Sequence, residues 1–313
     1  MDHRSGGRRR RGRPIHGWLI IDKPAGMTSS AVVGRVRRLI DAAKAGHGGT
    51  LDPLATGILP IALGEATKTV AYVMDGTKAY RFTVRWGEAR TTDDAEGAVI
   101  ETSPVRPAAG DIEAVLDRFI GEIEQVPPAY SAIKVDGKRA YALARADKPV
   151  VLAPRRVRID HMALAGIPDA EHAEFEVRSG KGAYMRSLAR DLARELGTVG
   201  HISALRRTAA GPFGEADAIS LDKLESLGHS APLEATLLPV ETALADIPAL
   251  ALTEEEARRL RHGQPISVLP VADRTPLNKV NQDTIGCAMT GGKPVALVRI
   301  KGAEIHPVRV LNL

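Results

Sequence analysis

Two spacings of apolar residues run along this chain, and the switches between them mark its elements. GWLIIDK, from Gly17 to Lys23, is nearly all apolar and meets Pro24 and Gly26, which predicts a buried strand closed by a turn. In MTSSAVVGRVRRLIDAAKAG, Val32, Val33, Val36, Leu39 and Ile40 share one helical face while Arg35, Arg37 and Arg38 fall mostly elsewhere, so an amphipathic helix is predicted. ILPIALG is again apolar, and GHGGTLDPLATG before it reads as a loop joining two packed elements. KAYRFTVRWG alternates as a strand, PRRVRIDHMALAGI and AEFEVRSG follow suit, and DIEAVLDRFIGEI has helical spacing. YMRSLARDLARELG carries the stripe Met185, Leu188, Leu192 and Leu196 and ends at Gly197, which makes it a helix.

Strands and helices mix here without regular βαβ alternation, so the fold class predicted is α+β rather than doubly wound. From Pro239 the texture changes. LTEEEARRLRHGQPI reads as one short helix and turn, and GCAMTGGKPVALVRIKGAEIHPVRVLNL as short strands punctuated by glycine, the pattern of a small β-barrel. The natural cut falls near residue 245, giving a larger domain over 15–245 and a smaller one over 246–313.

Composition narrows the function. A single cysteine, Cys287, excludes an internal disulfide and a thiolate zinc site, and the nine histidines show no H-x-x-x-H pairing, so no metal is expected. No apolar run approaches the roughly 18 residues that span a membrane. The first residues, MDHRSGGRRRRGRP, lack the apolar stretch of a secretion signal, and the cytoplasm is the expected compartment. Net charge is +5 and the pI about 9.4, which suits a polyanionic partner and also many basic proteins without one. Arginines crowd residues 1–14, a composition that predicts a disordered basic tail, either touching nucleic acid or merely solubilising.

Among candidate chemistries, a phosphate-cradling loop fails because neither Gly46 nor Gly49 is followed by the required Lys-Ser/Thr ending. Asp93, Asp94 and Glu96 in RTTDDAEG lack the alternation of a calcium loop and read as a solvated turn. Asp52 stands alone as an acid in GHGGTLDPLATG. Pro53 biases it toward extended backbone, and the surrounding glycines allow close approach of another molecule. An Asp-Pro turn and a projecting catalytic carboxylate are both compatible with that pattern.

GHGGTLDPLATGILPIALGEATK, with DKPAGMTSS upstream, resembles the signature of the TruB-type tRNA pseudouridine-55 synthases. KAYRFTVRWGEARTTDDAEG, VPPAYSAIKVDGKRAYALAR, RSGKGAYMRSLARDLARELG and HISALRRTAAGPF match later motifs of that family in order, so the likeness covers roughly residues 16 to 215. The C-terminal segment is similar, less strongly, to a PUA RNA-binding barrel. The resemblance implies a pseudouridine synthase fold with a mixed, mainly antiparallel central sheet, an RNA-binding insertion at about 126–153, and a PUA-like domain. It implies cofactor-free isomerisation of uridine to pseudouridine in the T-arm of tRNA, by a protein expected to be a monomer. Two rivals are a tRNA-binding or tRNA-folding protein without catalysis and a hydrolase with an aspartyl nucleophile. Joint retention of Asp52, Tyr80 and Arg186 weighs against the first, and the lack of a second acid in the loop against the second.

The same resemblance implies roles. Asp52 is the obligatory acid, attacking C1′ of the ribose or C6 of the base, or deprotonating the sugar. A carboxylate in a dry pocket needs a cation to stay ionised, and Arg186 matches the family arginine that pairs with it. By itself, Arg186 also suits an exposed charge on its helix. Tyr80 matches the tyrosine that stacks on the target base, though an aromatic in an alternating strand also suits core packing. His47 matches a histidine that meets the T-loop as the base is flipped, and Lys23, Gly48, Tyr184 and Leu205 match further substrate-binding positions. Lys134, Lys138, Arg139, Arg206 and Arg207 are expected to contact the RNA backbone.

Overall fold

A computed structural model describes residues 12–131, 134–135, 138–139, 152–227, 235–275 and 284–313. Along the chain come strand β1 (Gly17–Lys23), helix α1 (Ser29–Leu39), β2 (Ala45–His47), β3 (Thr56–Leu63), the short α2 (Val70–Asp75) and β4 (Lys78–Trp86). The hairpin β5 (Glu88–Arg90) and β6 (Val99–Thr102) leads to α3 (Ala109–Leu116), β7 (Gly121–Gln125) and a minimal hairpin of β8 (Lys134–Val135) and β9 (Lys138–Arg139). Next are β10 (Arg155–Asp169), β11 (His172–Ser179), α4 (Met185–Glu195), β12 (Gly200–Ala210), β13 (Phe213–Gly214), β14 (Ile219–Ser220) and α5 (Leu221–Leu227). The C-terminal part holds β15 (Ala249–Ala251), α6 (Glu254–Arg261), β16 (Ile266–Ser267), α7 (Leu269–Ala272), β17 (Ile285–Thr290), β18 (Lys293–Lys301) and β19 (Glu304–Val310).

Ten strands form the main sheet in the order β14-β1-β3-β12-β4-β11-β10-β7, with β2 on β3 and β13 on β12. Only β1/β14 and β3/β12 pair in parallel, so the expected mixed, mainly antiparallel sheet is what forms. The nearly all-apolar β1 is buried along its length, every residue but Asp22. On one face α1 buries Val32 and Val36, and its start is capped by the Thr28 hydroxyl, which accepts from the amide of Ala31 at 3.1 Å. Helix α4 buries Leu188, Ala189 and Leu192 in the same core and ends before Gly197, whose φ of +69° suits a glycine C-cap.

Sheet register decides which loops meet. Parallel pairing sets Gly57 beside Arg207, and the antiparallel partner strand sets Tyr80 on the other side of Arg207. One row across three strands therefore joins the end of the Asp52 loop to Tyr80.

Three local expectations are corrected. DIEAVLDRFIGEI is helical only to Phe119, counting a short 3-10 turn. Gly121, at φ +97°, then breaks the helix, and GEIEQ pairs with β10 as an edge strand. The expected tail of residues 1–14 is shortened toward the N-terminus, because Arg13 already forms a backbone bridge to Ala42, while residues 1–11 lie outside the described part. RTTDDAEG is not a solvated turn. Asp94 is 3% exposed, and the backbone of Asp93 and Ala95 bonds to Ile202 of β12.

The C-terminal strands form a second sheet, curled, in the order β15-β17-β18-β19-β16, with α6 burying Ala257 and Leu260 against it. This sheet is tied to the first. Leu311 joins Trp18, Ile58 and Phe213 in one buried cluster, Lys68 Nζ donates to the carbonyl of Val310 at 2.8 Å, and the amide of Asn312 donates to Glu65 Oε2 at 2.8 Å. Among the described residues no helix is long and apolar enough to cross a membrane.

Because Leu311 is 1% exposed at this junction, Leu311→Ala is expected to destabilise the protein by about 2–5 kcal/mol, the usual cost of emptying a buried leucine site. A calorimetric melting point equal to that of the unsubstituted protein would show that the two sheets do not depend on this contact.

Candidate active site

The Asp52 loop is held on both sides of the acid. Ser29 Oγ accepts from the amide of Leu51 at 2.8 Å and donates to its carbonyl at 3.0 Å. Beyond the acid, the carbonyl of Pro53 accepts from Lys23 Nζ at 3.1 Å and from the amide of Gly26 at 2.8 Å. The amide of Ala55 closes a tight turn on the carbonyl of Asp52 at 3.1 Å, and the amide of Gly48 donates to Pro60 at 2.8 Å. With its backbone so fixed, the loop presents a carboxylate whose side chain keeps 34% of its exposure.

Arg186 meets that carboxylate from the first turn of α4. Its Nε donates to Asp52 Oδ2 at 2.9 Å, Nη1 to the carbonyl of Thr92 and Nη2 to that of Tyr130, both at 2.9 Å. The guanidinium is buried, and every one of its nitrogens has a partner, so it presents a fixed direction as well as a charge. The exposed reading of Arg186 is therefore wrong. Asp94, which the sequence placed in a solvated turn, lies 3.6 Å from Arg186 Nε through Oδ2, while its Oδ1 accepts from Thr92 Oγ1 and from the amide of Glu96. One buried guanidinium is thus shared between a half-exposed acid and a buried one. Burial and the carboxylates of Asp94 and Asp52 push the Glu96 carboxyl above its usual range.

Two of the positions expected to touch substrate turn inward. Arg207 is 1% exposed, and its guanidinium donates to the carbonyls of Ile58 at 2.8 Å, Gly49 at 3.1 Å and Thr50 at 3.4 Å. It binds no phosphate in this position and instead spans both flanks of the Asp52 loop. The glycines of GHGGTLDPLATG are part of the same device. A Cβ on Gly57, at φ +96°, would lie 2.2 Å from the carbonyl oxygen of Arg207, and one on Gly49, at φ +136°, would lie 3.4 Å from Arg207 Nη1. Lys23 is fully buried and donates to the carbonyls of Pro24 and Pro53, so it serves the loop rather than a ligand. Burial pulls its pKa down to about 8, against the opposing carboxylates of Asp52 and Glu96.

The other expected positions divide. Tyr80 is half-buried in β4, packed on the main core beside the loop. His47 ends β2, and its Nδ1 is buried with no hydrogen-bond partner among the described residues. Burial, and then the charge of Arg207, lower its pKa, which favours the neutral ring. Gly48 is packed against Val73 and Trp18, where a Cβ would crowd both side chains. Tyr184 sits just before α4, and burial raises its phenol. Leu205 is 7% exposed, and with Leu54, Thr56, Arg81 and Arg206 it lines a shallow groove of about 370 Å³ beside the loop. Arg206 is already gripped by Asp22 at 2.9 and 3.1 Å and by Glu215 at 2.7 Å. Lys134 and Lys138 stand in the minimal hairpin with Arg139, Lys134 opposite Arg139 and Val135 opposite Lys138. The rest of the expected insertion is largely outside the described residues.

A family profile for the N-terminal domain of TruB family pseudouridylate synthases matches residues 37–185, and one for the C-terminal domain of tRNA pseudouridylate synthase B matches residues 186–245. A tRNA pseudouridine synthase B of Rhodospirillum rubrum is 62% identical over 306 residues, spanning 98% of this chain and 99% of that protein. Another, of Gluconacetobacter diazotrophicus, is 60% identical over 305 residues, spanning 97% and 100%. Among solved structures, a chain of a Cbf5-Nop10-Gar1 complex is similar in fold with a TM-score of 0.74, at 25% identity over 95% of this chain and 85% of that one. A mixed sheet with a curled C-terminal sheet and this level of identity define an isomerase that makes pseudouridine in RNA. The chain belongs to the TruB family of tRNA pseudouridine synthases.

Arg207 gives this geometry a direct check. Arg207→Met keeps the stem but leaves three carbonyls without their donor, and the expected loss of stability is at least about 2 kcal/mol, since each buried acceptor left unpaired costs about 1–3 kcal/mol. An unchanged melting point together with weakened tRNA binding would return Arg207 to the phosphate-contact role.

Proposed function

We propose that the protein isomerises uridine 55 in the T-arm of tRNA, with Asp52 acting on a base flipped out of its stack. The observation that carries this reading is the half-exposed Asp52 carboxylate held 2.9 Å from the buried, fully partnered Arg186. The N1–C1′ bond breaks, a C5–C1′ bond forms, C5 loses a proton and N1 gains one, so the reaction balances without an added cofactor. As nucleophile toward C1′ or C6, or as base toward the sugar, the carboxylate holds the fragments in one pocket while the base rotates. Tyr80 stacks on the uracil, an interaction worth about 1–3 kcal/mol, and its hydroxyl serves the late removal of the C5 proton.

The T-arm assignment is supported by the ordered motifs around Asp52, Tyr80 and Arg186 and by family membership. His47, Tyr184 and Leu205 border the base and T-loop. Lys134, Lys138 and Arg139 contact phosphates, with Arg206 joining them where its acids release it. In the 246–313 domain, Lys293, Arg299, Lys301 and Arg309 make sequence-independent contacts elsewhere on the tRNA, a PUA-like role. The protein works as a monomer in the cytoplasm, needing no metal.

The deciding assay uses a tRNA transcript tritiated at C5 of its uridines, in EDTA, where isomerisation releases the label. Asp52→Asn is expected to release none while its tRNA affinity stays within about tenfold, or about 1.4 kcal/mol. Isomerisation by a verified asparagine variant removes Asp52 from the reaction. Tyr80→Phe keeps the stacking face and is expected to bind tRNA normally yet turn over far more slowly. Equal single-turnover rates for Tyr80→Phe and the unsubstituted enzyme would show that the hydroxyl takes no part.

A further inference from the structure

Helix α4, which carries Arg186 at its second position, has no side-chain cap of its own at Tyr184. The neighbouring chain supplies the restraint. Gln125, the last residue of edge strand β7, is 2% exposed, and its amide makes a two-way pair with the backbone of Tyr184. Oε1 accepts from the Tyr184 amide at 2.8 Å, and Nε2 donates to the Tyr184 carbonyl at 3.1 Å. A side-chain amide thus imitates a strand partner for a single residue, two positions before the catalytic arginine.

The segment after Gln125 explains why side chains do this work. Val126 is followed by Pro127 and Pro128, which have no amide hydrogen to donate, so the strand ladder stops and only carbonyls remain for anchoring. Helix α4 provides the donors. Ser187 Oγ and Arg190 Nη2 both donate to the carbonyl of Val126 at 2.8 Å, and Arg186 Nη2 donates to that of Tyr130. Arg190 is itself held by Asp93 at 2.9 Å, in the turn whose Thr92 carbonyl binds Arg186 Nη1. Gln125 is the one member of this clamp that grips the helix start by its backbone.

We propose that Gln125 is a positioning residue for catalysis: by holding the backbone of Tyr184 it sets where α4 begins, and so the line along which Arg186 Nε meets Asp52. The inference rests on the Asp52–Arg186 pair being the catalytic one. Gln125 touches no reacting atom in this role; it holds the backbone of Tyr184 rather than its ring, and its effect on the rate of the chemical step is assigned to Arg186.

That last property makes it testable by a double-mutant cycle in the full chain. Single-turnover rates at saturating enzyme, tRNA dissociation constants and melting points are compared for Gln125→Met, Arg186→Lys and the double variant. Gln125→Met, an unbranched side chain of similar size, is expected to slow the single-turnover rate ten- to a hundredfold with tRNA affinity changed less than threefold. In the Arg186→Lys background the same change is expected to cost less than threefold more, because the interaction it supports is already gone. If Gln125→Met does not fold, Gln125→Leu takes its place in the cycle. A folded variant with an unchanged rate, an equal loss in both backgrounds, or a loss confined to affinity and melting point overturns the proposal. Failure of the underlying reading is seen separately, as isomerisation by Asp52→Asn.

Discussion

Everything in the active region converges on one buried guanidinium. Arg186 has to be out of water to hold a direction, and a buried cation needs partners on every nitrogen to persist there. Those partners come from three places far apart in sequence: Asp52 in the loop before β3, Thr92 in the β5–β6 turn, and Tyr130 after β7. The β5–β6 turn is folded inward for this purpose, which is why Asp94 is buried and why its second oxygen faces the same arginine. Two acids share this one cation, and of the two only Asp52 faces the solvent side.

The loop that carries Asp52 is governed by a different rule. The buried cations beneath it, Lys23 and Arg207, are satisfied by carbonyls of the loop itself and of neighbouring turns. Backbone carbonyls meet the desolvation cost of these two cations, and the Asp52 carboxylate takes its side-chain hydrogen bond from Arg186 instead. This arrangement needs backbone to approach side chain closely, and the positive-φ glycines at 49 and 57 allow it. The same buried charge reaches His47, where it adds to burial in lowering the pKa of the imidazole.

The sheet brings these parts together through register. Parallel pairing of β3 with β12 sets the loop end beside Arg207, and the next strand sets Tyr80 in the same row. The C-terminal sheet is tied to the back of this unit through Leu311 and the Lys68 and Glu65 contacts, so the smaller part of the chain has a packed seat against the larger.

Much of this was legible in the residues. Local periodicity predicted β1, α1, β4, β10, β11, α4 and α6, since burying one face or a whole strand leaves a direct trace in apolar spacing. The motifs around Asp52, Tyr80 and Arg186 carried the family. What periodicity could not decide was which polar side chains turn inward. Lys23, Asp94 and Arg207 read as surface or as ligand contacts, and Gln125 drew no reading, because burial of a charge or an amide depends on acceptors and donors supplied by distant segments, and those exist only after the strands have paired. DIEAVLDRFIGEI fails as a continuous helix for the same reason: β10 offers GEIEQ a ladder of hydrogen bonds that no local spacing reveals. The sequence by itself determined the elements and, through its motifs, the pairing of Arg186 with Asp52, whereas tertiary structure alone decided that Arg207 turns inward to hold the loop beneath it, because the carbonyls that satisfy it meet only once β3 and β12 have paired.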